Sequence, residues 1–196
     1  TTASSVDWLV PDWPAPQSVR CLVTTRGGGV SHGKYASLNL GTHVGDVPSA
    51  VHRNRAVLSA EINGRVVWLD QVHGTRVVNA AEFCDAELPP EADAAFSRTP
   101  GVACVAMTAD CLPVLFCDDL GSVVAAVHAG WRGLLAGVLE ATVAAMNTPA
   151  NGLMAYLGPA IGSRAFEVGD EVHAAFVAAD ERAAAAFRPS APGKWL

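Results

Sequence analysis

The stretch Val123-Val124-Ala125-Ala126-Val127-His128-Ala129-Gly130-Trp131-Arg132-Gly133-Leu134-Leu135 changes character at its middle, and that change decides the fold. Residues 123–127 form a short apolar run rich in valine, which predicts a buried strand ending at His128. Gly130 then opens a segment in which Leu134, Leu135, Val138, Leu139, Thr142, Val143 and Met146 fall one, three and four apart, the spacing of a helix with one apolar face. Such a helix packs against a sheet, and its start lies beside His128. Free N–H groups and the positive end of the dipole there, joined by the Arg132 guanidinium, suit an anion such as phosphate. The plainer reading of the same residues is a tight turn with an exposed arginine and a packed tryptophan.

The 196 residues are 51% hydrophobic and 16% charged, with mean hydropathy +0.27. That suits a single domain over 1–196 with a sizeable core, and argues against disorder. A net charge of −6 disfavours broad capture of nucleic acid, although a few arginines still suffice for a small anion. Five cysteines with no CxxC spacing give no disulfide framework and point to a reducing compartment. Cys21, Cys84, Cys104 and Cys117 read as small buried hydrophobes. No basic leader with an apolar core opens the chain and no apolar run reaches membrane-spanning length, so the expectation is a cytoplasmic protein with no membrane partner.

Outward from the central stretch, residues 1–18 carry three prolines, Trp8 and Trp13, and read as an arm on the body. Residues 19–25 read as a strand running into Arg26 and three glycines, which allow a sharp turn or close approach to a ligand. Asp46, with Pro48 two residues on, predicts a helix start with Asp46 as its cap. Residues 66–69 form a short strand ending in Asp70-Gln71-Val72-His73-Gly74, and residues 92–96 another. Two further runs, 102–107 and 112–116, are separated by Thr108-Ala109-Asp110-Cys111. Residues 153–157 make a last strand before Gly158-Pro159. Val168, Val172 and Phe176 stripe the helix that follows, and 180–187 continue as an alanine-rich helix.

His73, Cys111 and His128 each sit at a strand-to-loop transition. Two imidazoles and one thiolate, with a fourth position left to solvent, are the composition of a catalytic zinc site. Zinc lowers the pKa of a bound water to about 7 and so supplies a nucleophile at neutral pH. The same residues without metal read as a thiol hydrolase pair, Cys111 the nucleophile and His128 its base.

The stretches TTRGGGVS (24–31), SLNLGTHVGD (37–46), DQVHG (70–74), TADCLPV (108–114), VHAGWRG (127–133) and LGPAIG (157–162) together resemble the YfiH family, also called DUF152 or multicopper polyphenol oxidase-like. The resemblance implies an α+β fold, a single-domain layered arrangement with central mixed sheets, similar to a cysteine-hydrolase-like toxin domain. It implies that His73, Cys111 and His128 are zinc ligands, with copper as a possible substitute. It also implies purine nucleoside and phosphate as partners: phosphorolysis of adenosine, inosine, guanosine or methylthioadenosine, and deamination of adenosine. Asp110 is then the candidate proton carrier, Arg132 and Arg26 the phosphate holders, and Asn39 and Gln71 the residues that orient the nucleoside. Two alternatives stay open, an amidase editing cell-wall peptidoglycan precursors through Cys111 and His128, and a laccase-like copper polyphenol oxidase. Family members run on past residues 193–195 with another helix and a basic segment, whereas this sequence stops at Leu196.

Overall fold

The computed structural model describes residues 8–196. The strands are β1 (Arg65–Val67), β2 (Val77–Asn79), β3 (Ala94–Ser97), β4 (Val102–Cys104), β5 (Leu112–Asp118), β6 (Val124–Ala129), β7 (Leu153–Leu157), β8 (Val168–Gly169), β9 (Pro189–Ala191) and β10 (Lys194–Trp195). The α-helices are α1 (Pro48–Glu61), α2 (Trp131–Ala136), α3 (Val138–Met146) and α4 (Asp170–Ala179). A five-stranded sheet in the order β2-β3-β6-β5-β7 forms the centre, flanked by the pair β1-β4 and the small sheet β8-β10-β9. In the central sheet β2 and β3 run parallel and every other pairing is antiparallel, as expected of an α+β fold with mixed sheets.

The apolar run of β6 is continuous because both faces of its strand are covered. Ala125, Val127 and Ala129 pack with Val138 and Met146 of α3, and Val114 and Phe116 of β5 join them. On the opposite side Ala95 of β3 packs with Val67, Leu69 and Val78, a second cluster also contacted by Val102 and Cys104 of β4. Strand alternation therefore turns His128 away from α3 and toward that second side.

The helix after His128 is divided. Gly137 adopts φ 94°, closes α2 through its N–H to the carbonyls of Gly133 and Leu134, and starts α3. A left-handed residue at that point costs glycine nothing but would strain most side chains. The apolar stripe survives the break, with Val138, Thr142 and Met146 buried. What remains beside His128 is a helix of six residues, so its dipole is a weaker anion anchor than the unbroken helix expected from spacing.

Other expectations also change. Residues 19–25 form no strand; Val23 makes a single bridge to Leu9. Asp46 is not the cap of α1, whose N-cap is Val47; its carboxylate instead accepts from Ser31 and Asn39 and clasps two loops. The alanine-rich segment is a 3-10 helix over Glu181–Ala186. The part of the arm over residues 8–18 does lie on the body, where Trp13 donates to Cys21 and its ring stands 6.1 Å from Tyr156; residues 1–7 fall outside the described region. His173 is packed, its ring stacked on Trp195 at 3.8 Å. Among the described residues no helix is long and apolar enough to cross a membrane.

The β5–β6 connection is held by Asp118, which is buried. Burial raises its pKa, but the Ser122 hydroxyl and the backbone N–H groups of Val123 and Ser122 outweigh that and hold the carboxyl below its ordinary range. The stabilisation is complete above about pH 4 and is lost as pH falls through the lowered value. Replacing Asp118 by Ala should cost about 1–3 kcal/mol near neutrality, and urea melts should show the gap from wild type closing as acid is added. A gap that stays constant down to about pH 2 contradicts this account.

Candidate metal centre

The register of β5 on β6 sets Pro113 opposite His128 and Leu112 opposite Ala129. One step further along the same two strands, Cys111 meets Gly130. A side chain on Gly130 would stand 3.1 Å from the Cys111 sulfur and 2.7 Å from Cδ2 of His73, so the glycine leaves room for both. His73 reaches this point from the β1–β2 loop, in the left-handed conformation with φ 61°, which few non-glycine residues adopt. Its ring packs edge-on against that of His128 with centroids 4.7 Å apart.

His73, Cys111 and His128 thus bring one ligand atom each to within 4.8 Å of one another. The Cys111 sulfur lies 4.0 Å from Nε2 of His73, against roughly 3.6 Å between nitrogen and sulfur on one tetrahedral zinc. Two nitrogens and a sulfur at such separations fit a tetrahedral ion with one position open. The three differ in exposure: His128 is buried, Cys111 half-buried and His73 exposed. Burial, and then the negative charge of Asp110, push the Cys111 thiol above its ordinary pKa. Without a cation nearby it is a poor nucleophile at neutral pH.

A further residue belongs to the site. Asp93, immediately before β3, has no exposed surface. Its Oδ1 lies 2.8 Å from Nδ1 of His128 and accepts the backbone N–H of His73 at 2.9 Å. Its Oδ2 accepts the N–H groups of Val72 and Gly74 at 3.2 and 2.6 Å. The sequence marks Asp93 by no motif; its one signal is a carboxylate set among alanines in a strand-like run.

The remaining expected residues are placed as follows. Asp110 is exposed and next to Cys111 in the chain. Arg132 is exposed at the start of α2, its guanidinium 4.3 Å over the Trp131 ring, and forms no ion pair among the described residues. Arg26 is engaged in its own loop, bonding the carbonyls of Lys34 and Ala36. Asn39 bonds Asp46 and the backbone of Gly41. Gln71 uses both ends of its amide on the backbone of Met107, at 2.8 and 2.7 Å. Asn39 and Gln71 therefore brace loops with part of their amide capacity and keep the rest, a second N–H on Gln71 and a lone pair on each carbonyl. Buried Asn54 of α1 moors the loop bearing Arg26 and Asn39 through Val30, Ser31, Ser37 and Asn39. Gly29 serves that packing, since a side chain there would collide with the backbone at Ser37.

Gly130 has ordinary negative φ, so Gly130→Ala strains no backbone and acts through its new methyl alone. The variant should stay folded to within about 1 kcal/mol, its exposed His73 ring pushed aside. Metal affinity should fall about tenfold or more, on the scale of losing one ligand's support. Isothermal titration with zinc checks this, and undiminished affinity contradicts the crowding argument.

Comparison with known proteins follows the same lines. Residues 20–196 match the family described as multi-copper polyphenol oxidoreductase laccase. A Pseudomonas aeruginosa protein named purine nucleoside phosphorylase is 59% identical over 190 residues, 96% of this chain and 77% of that protein. The Escherichia coli purine nucleoside phosphorylase YfiH is 53% identical over 181 residues, 91% of this chain and 74% of its own. Among solved structures, a DUF152 protein of Neisseria meningitidis superposes with a TM-score of 0.93 at 56% identity, covering 96% of this chain and 77% of that one. YlmD of Geobacillus stearothermophilus does so with 0.81 at 28% identity, covering 96% and 75%. The chain spans about three quarters of the length of these relatives. With the fold, the convergent His-Cys-His group and these matches in agreement, the chain belongs to the multi-copper polyphenol oxidoreductase laccase family, the family of the YfiH proteins.

Proposed function

We propose that this protein is a zinc-dependent purine nucleoside phosphorylase that also deaminates adenosine. The observation that carries the reading is the convergence of His73, Cys111 and His128 within 4.8 Å, in a chain 59% identical to a protein named purine nucleoside phosphorylase. Adenosine, inosine, guanosine and methylthioadenosine are the proposed substrates, with phosphate as the second. His73, Cys111 and His128 would hold the zinc ion, which would supply Lewis acidity at the reacting atoms. Copper competes at any site of nitrogen and sulfur ligands, so the metal that occupies the site reflects supply as well as ligand chemistry. The cytoplasm, with its reducing thiol pool, is the proposed location.

The residues around the group divide the work. In phosphorolysis a phosphate oxygen bonds to the ribose C1′ while the bond from C1′ to the purine breaks, and the purine leaves with the bonding pair. Arg132, exposed and without an ion pair among the described residues, holds the phosphate and offsets its charge. Arg26 is a second candidate for the phosphate, its remaining donors lying beyond those already committed to Lys34 and Ala36. In deamination, water adds to the purine C6 and ammonia leaves; Asp110 carries the proton from one to the other.

Two other readings receive less support. A thiol amidase acting through Cys111 and His128 has the Asp93 carboxylate as orienting group, but the burial and negative neighbours of Cys111 disfavour the thiolate it needs. A multicopper oxidase needs several ligand sets, and among the described residues one such group is found.

The test is to incubate purified, zinc-loaded protein with inosine or adenosine, with and without phosphate. Free base and ribose 1-phosphate should form only with phosphate, ammonia should form from adenosine, and a chelator should stop both. His73→Ala should bring metal content and both activities to background together. Full zinc occupancy in that variant, or turnover that survives the chelator, is incompatible with the proposal.

A further inference from the structure

We infer that Asp93 is the positioning residue of the centre: one buried carboxylate fixes both imidazole ligands, the ring of His128 directly and His73 through its backbone. The inference rests on the metal reading given above. Four donors converge on this carboxylate, three backbone N–H groups from Val72, His73 and Gly74 and one ring nitrogen from His128. That equals the number of acceptor sites a carboxylate has. An ionised carboxylate only accepts, so Nδ1 of His128 carries the hydrogen and the lone pair lies on Nε2. The main chain of His128 is held by the same residue, its backbone N–H donating to the Asp93 carbonyl at 2.7 Å.

For His73 the control is indirect. Its positive φ is unfavourable for a residue with a side chain, and three successive N–H groups closing on one carboxylate hold the backbone there. Oδ1 is shared between the N–H of His73 and Nδ1 of His128. The two histidines, 55 residues apart, are thereby referred to one atom. Cys111 needs no such device, being fixed by its place at the head of β5.

Asp93→Asn preserves volume and tests this sharply. Whichever way the amide turns, its NH2 group faces two donors: either Val72 and Gly74, or His73 and His128. The first frees the His73 loop; the second favours hydrogen on Nε2 of His128, the nitrogen meant for the ion. Asp118→Asn is the control, a second buried carboxylate that braces a turn of the same sheet and accepts from no residue of the metal group.

The experiment strips wild type and both variants of metal and measures urea stability, zinc affinity by competition with a chromophoric chelator, and the cobalt(II) absorption spectrum. Asp93→Asn should bind zinc about 10–100-fold more weakly and show altered cobalt ligand-field bands. Asp118→Asn should lose stability while its zinc affinity stays within about twofold of wild type, the scatter expected of independent sites. Wild-type affinity and spectrum in Asp93→Asn overturn the inference alone, as does a zinc affinity that follows stability equally in both variants. A wild type that takes up neither ion overturns the metal reading and this role with it. Should Asp93→Asn not fold, nitrogen NMR of metal-free wild type, at a pH where the His128 ring carries a single hydrogen, decides: that hydrogen on Nδ1 is expected, and on Nε2 it refutes the inference.

Discussion

The pairing of β5 with β6 is the constraint on which the rest of the architecture turns. Its register, with Val114 opposite Val127 and Phe116 opposite Ala125, puts those four side chains together on the α3 face. A slip of one residue reverses that alternation for the strand that moves, turning its core side chains away from α3. The same register brings Cys111 beside Gly130 and leaves His128 on the far face of the sheet. Packing and chemistry are thus set by a single choice of partners, and β3 on the other edge of β6 adds Asp93 by pairing Ala94 with Val127.

Most of this framework was legible in the chain. β5, β6 and β7 stand out as apolar runs bounded by turn residues, and the stripe through Val138, Thr142 and Met146 showed which helix face is buried. The break at Gly137 was not legible, because a glycine inside a periodic pattern reads equally as a tolerated guest or a cap. Residues 19–25 misled for a related reason. They have the composition of a strand, but among the described residues their one strand-like pairing is the bridge from Val23 to Leu9; composition does not reveal whether a partner edge is available.

The ligand group was legible as residue types at strand ends, and its convergence followed from the family resemblance rather than from spacing. Asp93 was missed because its partners are backbone groups and one ring nitrogen some distance along the chain, which leave no local pattern. Arg26, Asn39 and Gln71 show what a motif leaves open. Each sits in a motif that resembles the family's, yet its polar atoms are used by neighbouring backbone. A motif identifies the loop that matters without saying which of its side chains faces substrate and which holds the loop in shape.

The three ligands are unequally exposed. His128 is enclosed and doubly tethered, Cys111 is half-covered, and His73 rides on a surface turn. For an ion bound by all three, the bond to His73 would be the one that solvent reaches first, so the 70–74 turn is where such a centre would meet the bulk.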